Sequence, residues 1–198
     1  MGLRLSHGDA ADGRHRRADV CHLQAEGLAL VAGFDQGLVI TPGTERQLGA
    51  YGLFRPSPSQ RDVLALPTGP LPVKGADPDI LWASFAELCG GARAAADYVL
   101  LAGRFPAWVV DAIPLPSAES AAGTADWQRF LALLDVLHER DITPFLIAPA
   151  PLGDPLGAPA GSVPVELAAV LSRIDQRLSA LRRLESDEQL ADEQSRGC

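Results

Sequence analysis

Cys89 is the first candidate for a catalytic residue in this sequence. It lies in the stretch "FAELCGGARAAADYVLLAGRF", where a thiol precedes two glycines and an Asp-Tyr pair. A nucleophilic cysteine needs a neighbouring base that removes its proton. The chain has four histidines, and the sequence places none of them beside the thiol: His7, His15, His22 and His138. Because an apolar helix follows, the pattern favours a buried thiol that packs as a small hydrophobic side chain.

Lys74 and Asp111 are the candidates for nucleotide chemistry. A P-loop has the pattern G-x-x-x-x-G-K-[ST], in which backbone N–H groups hold the phosphates and the lysine reaches the terminal ones. Lys74 is the single lysine of the chain, and its neighbours in "PVKGA" do not fit that pattern. The run "WVVD" resembles a Walker B strand that ends at Asp111, but Ala112 stands where a catalytic glutamate is expected. The sequence therefore shows no complete nucleotide site and predicts no cofactor bound by this chain.

Metal and disulfide chemistry are not expected either. Cys21 and His22, with His15, are the candidate metal ligands, but adjacent residues rarely both reach one tetrahedral centre. The three cysteines, at positions 21, 89 and 198, form no C-x-x-C pair. Their odd number and long spacings exclude a disulfide framework and favour a reducing compartment. The first residues, "MGLRLSHGDA", contain no apolar core of a signal peptide, and no apolar run is long enough for a membrane span. A cytoplasmic protein without an integral membrane segment is predicted.

The charge balance argues against a nucleic-acid partner. The 198 residues carry a formal net charge of −8 at pH 7, and an acidic surface repels phosphate backbones unless basic residues are concentrated locally. The densest basic cluster, at residues 14–17, is short. We therefore predict no nucleic-acid binding.

The elements that must position these residues follow an α/β pattern. Short β-branched and apolar runs separated by turn residues predict a small antiparallel β patch at residues 60–86. A helix is predicted from Ala92 to Ala102, with Gly103 as its C-terminal cap. Then a strand at 107–113, an amphipathic helix at 124–140 and a strand at 142–148 predict a βαβ unit with parallel strands. The fold class is therefore α/β: a small β patch, then a βαβ unit and a C-terminal amphipathic helix.

Four segments are predicted along the chain. Residues 1–19 are polar and without periodicity, as in a mobile N-terminal segment. Residues 20–152 form the α/β domain, and the Gly/Pro-rich residues 153–164 form a linker. Residues 165–198 form a helix and an acidic tail. Apolar residues repeat along this helix at steps of four and three and predict a seam that packs on the domain or on a partner: Leu167, Leu171, Ile174, Leu178 and Leu181.

A set of motifs between Trp82 and Asp154 resembles the C-terminal half of the ZapE-type cell-division ATPases, which are AAA-like P-loop ATPases. The matching residues are Phe85, Leu88 and Cys89 of an F-x-x-L-C block, the pair Asp97 and Tyr98, the strand "WVVDAIP", Arg129, Phe130, Leu133 and Asp135 of an R-F-x-x-L-x-D helix, and the strand "FLIAPAPL". More faintly, "LSRI" with Arg173 resembles the family's L-S-R-L. Departures are Gln128 for the first arginine of R-R-F, His138 for a tyrosine and Gly69-Pro70 for Gly-Arg.

The resemblance implies a protein whose relatives hydrolyse ATP with magnesium in connection with cell division. Walker A, Walker B and sensor 1 have no counterpart in this sequence, so we expect the chain to be inactive alone and the motif residues to be structural. Tyr98 is expected in the core and Asp97 in an ion pair with Arg129, which could otherwise face a nucleotide held by another chain. The expected partners are cell-division proteins or a separate ATPase half. A stand-alone protein-binding module and an unrelated enzyme that uses Cys89 are the alternatives.

Overall fold

The computed structural model describes residues 33–116, 122–152 and 164–190. Within them the strands are β1 Leu38–Ile40, β2 Asp62–Leu64, β3 Leu71–Val73, β4 Gly75–Asp77, β5 Ile80–Ser84, β6 Ala107–Asp111, β7 Thr143–Ile147 and β8 Arg182–Leu184. The α-helices are α1 Glu45–Ala50, α2 Phe85–Cys89, α3 Ala95–Ala102, α4 Thr124–Glu139 and α5 Val165–Leu178. The predicted N-terminal segment lies outside the described residues, as does the predicted linker except for Pro164.

Six strands form one sheet in the order β4-β5-β6-β7-β1-β8. All neighbours in it are parallel except β4 and β5, which are antiparallel. Strands β2 and β3 form a separate antiparallel hairpin. The structure therefore confirms the α/β class and the parallel βαβ unit β6-α4-β7.

Both faces of the six-stranded sheet are buried. Successive side chains of a strand point to opposite faces; thus Trp108 and Val110 of β6 belong to one hydrophobic cluster and Val109 to another. The first cluster lies between the sheet and helices α2 to α5. The second includes Leu48 of α1 and Leu190 near the C-terminal end of the described residues. The sheet is thus the middle layer of three.

Helix α4 is the centre of the larger core. Its apolar stripe is buried as predicted, and it comprises Trp127, Phe130, Leu131, Leu133, Leu134, Val136 and Leu137. Helices α2, α3 and α5 all contact it. All five seam residues of the C-terminal segment are buried as well. The seam therefore packs on the domain itself, which was one of its two predicted uses.

A proline lies inside the sheet, at a point where two segments of backbone approach closely. Pro144 lies in β7, a central strand, although proline donates no hydrogen bond to a ladder. The residue beside it is Gly37, and a Cβ atom there would come within 2.5 Å of Pro144 Cδ and 2.6 Å of its carbonyl oxygen. Gly37 is required here for space, because its φ of −67° is open to any residue.

The structure corrects two parts of the sequence prediction. The predicted β patch at 60–86 is divided: β2 and β3 form their own hairpin, whereas β5 pairs in parallel with β6 and belongs to the main sheet. The predicted tail is also preceded by an element that the sequence did not reveal. Residues 182–184 form β8 beside β1, and Thr41 N–H donates to the carbonyl oxygen of Leu184 at 2.8 Å.

Candidate functional site

The motif residues lie where the helices pack on each other. Phe85 of α2 contacts Trp127 and Phe130 of α4, with ring centroids 5.1 and 5.4 Å apart. Leu88 and Cys89 end the same short helix and are fully buried. The F-x-x-L-C block therefore packs against α4 and forms one side of the core.

Tyr98 joins α3 to the end of α2. Its ring is buried and its hydroxyl donates to the carbonyl oxygen of Leu88 at 2.8 Å, as a buried tyrosine requires. Burial, and then the neighbouring Cys89, raise the pKa of Tyr98. Burial likewise raises the pKa of the Cys89 thiol, although Arg129 acts in the opposite direction. Because a nucleophilic cysteine works as the thiolate, this environment opposes catalysis by Cys89.

Asp97 and Arg129 do not form the predicted ion pair. Asp97 Oδ2 accepts from the Ala94 N–H at 3.1 Å and from the Thr68 hydroxyl, which ties α3 to the loop between β2 and β3. Arg129 Nε donates to the carbonyl oxygen of Gly91 at 2.6 Å. The prediction was wrong because Asp97 caps the start of its own helix, whereas Arg129 lies 3.6 Å from Asp126, one turn earlier on α4.

Asp135 and Arg173 meet at the interface between α4 and α5. Asp135 accepts from Arg177 Nε at 2.8 Å and lies 3.8 Å from Arg173. Arg173 is mostly exposed, so this second contact is screened by water and stabilises little. The two motif strands, in contrast, end at a cleft in the described part of the chain, which residues 111–114 of "WVVDAIP" and 147–149 of "FLIAPAPL" line.

That cleft lies at the carboxyl ends of three adjacent parallel strands, β6, β7 and β1. It has a volume of about 400 Å³. Its lining consists of Pro42, Arg55, Lys74, Asp111, Ala112, Ile113, Pro114, Ile147, Ala148 and Pro149. In open α/β sheets, ligands bind outside the carboxyl ends of the strands. The cleft is therefore the candidate functional site of the described part of the chain.

Asp111 is the buried charge of this cleft. It ends β6, its side chain is 3% exposed, and it accepts from Lys74 Nζ at 2.7 and 2.6 Å through its two oxygens. The indole N–H of Trp82 donates to the same carboxylate at 2.7 Å. A buried carboxylate needs such partners, so Lys74 and Trp82 hold Asp111 in one position.

The backbone turns sharply after this carboxylate. Ala112 has a φ of 53°, a left-handed conformation that costs a non-glycine residue on the order of 1 kcal/mol. Such strain is found preferentially at functional sites. Sequence reasoning had considered Asp111 and Lys74 separately. It missed their pairing because 37 residues separate them, and it missed Arg55 altogether because no motif contains it.

The candidate metal ligands and two of the three cysteines lie outside the described residues. Cys21, His22, His15 and Cys198 lie outside residues 33–116, 122–152 and 164–190. Inside those ranges no group of three His, Cys, Asp or Glu side chains could hold a metal ion. None of the helices in the same ranges combines the length and the apolar character needed to cross a membrane.

Comparison with known proteins identifies relatives of this chain. A family model described as AFG1-like ATPase matches residues 44–186. An uncharacterized protein of Schizosaccharomyces pombe is 36% identical over 67 residues, which are 34% of this chain and 14% of that protein. The match thus spans about one seventh of the relative's length. No solved structure matches the chain.

Proposed function

Because this chain belongs to the AFG1-like ATPase family, we propose that it supplies the helix-packing half of such an ATPase and binds no ATP by itself. The motif residues shared with the ZapE-type proteins hold α2, α3, α4 and α5 together in this proposal. A separate ATPase half, or another chain, then supplies the P-loop and the magnesium ion. The proposed setting is cell division in the cytoplasm.

The environment of Lys74 carries this proposal. In a P-loop, the lysine follows a glycine-rich turn and reaches the phosphates from the start of a helix. Lys74 instead lies between two strands and donates to both oxygens of Asp111. As the single lysine of the sequence, it leaves no other lysine for that role.

The backbone around the cleft supports the same conclusion. Phosphates in nucleotide sites are held by free N–H groups at helix starts and in turns. At this sheet edge, three of the lining residues are prolines, at positions 42, 114 and 149. The N–H of Ile113 donates to Ile147 and the N–H of Ala148 donates to Ile40. These groups offer no cradle for a triphosphate.

Titration of the purified chain with a fluorescent ATP analogue in the presence of magnesium tests the proposal. We expect no saturable binding at micromolar concentrations and no phosphate release from ATP. The Lys74→Gln variant serves as the matched control, because any binding through Lys74 would be lost in it. Saturable binding by the wild type would refute the proposal, and its loss in Lys74→Gln would show that Lys74 takes part in that binding.

A stand-alone protein-binding module is the second candidate function. It is favoured by the sheet, whose two faces are both covered by side chains of this chain. A half-protein that needs its missing half would instead expose apolar surface and associate. Sedimentation velocity distinguishes the two, since a monodisperse monomer with cooperative unfolding supports the module and concentration-dependent association supports the incomplete ATPase.

A further inference from the structure

The candidate cleft continues into a basic groove. Two smaller hollows, of about 170 and 250 Å³, adjoin it, and all three share Lys74. Arg55 lines two of the three and Arg61 lines two. Three cations therefore face one groove in a chain whose formal net charge is −8. The carboxylates that face the groove are the buried Asp111 and, at its rim, Glu87.

Two of the cations have hydrogen-bond donors left for a ligand. The side chains of Lys74 and Arg55 are both 43% exposed. Lys74 has three N–H bonds and two contacts to Asp111. Arg55 donates through Nη2 to the carbonyl oxygen of Gly43 at 2.7 Å. Its Nε lies 3.7 Å from the exposed Glu45, a pair that water screens. Of the five N–H groups of Arg55, at least two remain.

The walls beside these cations are apolar. Pro42, Ile113, Pro114, Ile147 and Pro149 line the larger hollow, and the backbone N–H groups of Ile113 and Ala148 are already hydrogen-bonded. These two N–H groups are therefore not available to an anion, and the cationic side chains are the donors that face the groove. A guanidinium pairs best with a planar carboxylate, which it can contact through two parallel hydrogen bonds. The apolar walls suit a hydrocarbon group attached to that carboxylate.

We propose that this groove binds an organic carboxylate, with its anionic group at Arg55 and Lys74 and its apolar group against Ile113, Ile147 and the prolines. Asp111 does not contact the ligand and acts by holding Lys74 in place. The same chemistry is offered by a small free acid and by the C-terminal residue of a peptide. Binding of this kind is independent of ATP, so the result with the ATP analogue neither supports nor contradicts it.

The indole N–H of Trp82 provides the readout, because it donates to Asp111 at 2.7 Å and its NMR resonance can be assigned with Trp82→Phe. The probes are hexanoate, its uncharged analogue hexanamide, and an acetylated dipeptide that ends in leucine with a free or an amidated C-terminus. Inorganic phosphate is the competing anion. We expect hexanoate or the free-acid peptide to shift this resonance saturably and both amides to leave it unchanged. Tighter binding of the peptide identifies a chain terminus as the ligand, and tighter binding of hexanoate identifies a small acid.

Arg55→Gln is expected to weaken carboxylate binding by roughly tenfold, since it removes a charge-assisted hydrogen bond. Arg46→Gln, an exposed change on α1 outside the groove, is the matched control and should bind as the wild type does. If Arg55→Gln does not fold, Arg61→Gln tests the contribution of the groove's positive charge at an exposed position. This variant is expected to weaken carboxylate binding less. The proposal is overturned if neither acid binds, if the amides bind equally, if phosphate binds more tightly, or if the groove variants match the control.

Discussion

Lys74 and Asp111 form an ion pair that joins the strand β6 to the segment between β3 and β4, with Nζ 2.6 and 2.7 Å from the two carboxylate oxygens. The carboxylate is buried and the ammonium is partly exposed. Removing one partner from such a pair leaves the other charge without compensation, and this costs more than the pair contributes in net stability.

We therefore expect Lys74→Gln to lower the free energy of unfolding by about 1–3 kcal/mol, the range for leaving one buried polar group unsatisfied. Asp111→Asn should cost less, because the remaining Lys74 can turn toward water. Urea denaturation of both single variants and the double variant measures the coupling between them. A coupling energy of zero would show that the pair does not hold this strand end.

Substitution by alanine is expected to have opposite effects on stability at Gly37, which lies against Pro144, and at Gly49. Gly37→Ala places a Cβ atom 2.5 Å from Pro144, and overpacking of this kind costs about 1–3 kcal/mol. Gly49→Ala on helix α1 meets no atom within 4 Å, so it should raise stability by about 0.5–1 kcal/mol through helix propensity and a less flexible unfolded chain. Thermal unfolding of the two variants checks both signs. Equal effects would contradict the close approach of β1 and β7.

The two helices whose burial the sequence predicted have a long apolar period. Helix α4 repeats its apolar residues over four turns, and the seam of α5 does so over two heptads, so the burial of both was predicted. Strands β1 and β8 have three residues each, too few to show a period. Their pairing also depends on residues about 140 positions apart, which no local pattern encodes.

The cleft was less predictable than the helices. The sequence predicted a strand over 107–113, which places Asp111 inside it, whereas the strand β6 ends at Asp111. Its partner Lys74 and the nearby Arg55 reach it only because the hairpin and the loop after α1 pass over the same sheet edge. Asp97 makes one hydrogen bond of each kind, local and long-range. Its capping bond to Ala94 N–H is local and could have been read from the sequence, whereas its bond to Thr68 depends on the hairpin.

Phe130→Ala is expected to destabilise the protein by about 3–5 kcal/mol, because the ring is fully buried between Phe85 and Trp127 and its removal leaves a cavity. Glu139→Ala, at the exposed end of the same helix, is the control and should change stability by less than about 0.5 kcal/mol. Guanidinium denaturation followed by circular dichroism compares them. A wild-type midpoint for Phe130→Ala would mean that α4 is not the centre of the core.

The buried thiol of Cys89 predicts a loss of stability in alkaline solution. Burial raises the pKa of Cys89 above its ordinary value of 9.0. Below that value the thiol is protonated in both the folded and the unfolded chain and contributes no pH dependence. Above it the unfolded chain loses the proton and the folded chain keeps it, so the free energy of unfolding falls by up to about 1.4 kcal/mol per pH unit from this group. Tyr98, whose pKa burial raises from 10.0, adds to the fall at still higher pH. Urea denaturation between about pH 8 and pH 10 should therefore show a shallower decline for Cys89→Ala than for the wild type.

A variant that keeps Cys89 alone, with Cys21→Ser and Cys198→Ser, should react with a thiol reagent only after denaturation. Rapid labelling of the native variant at neutral pH would show that the thiol is accessible and ionised, and would return Cys89 to the list of catalytic candidates.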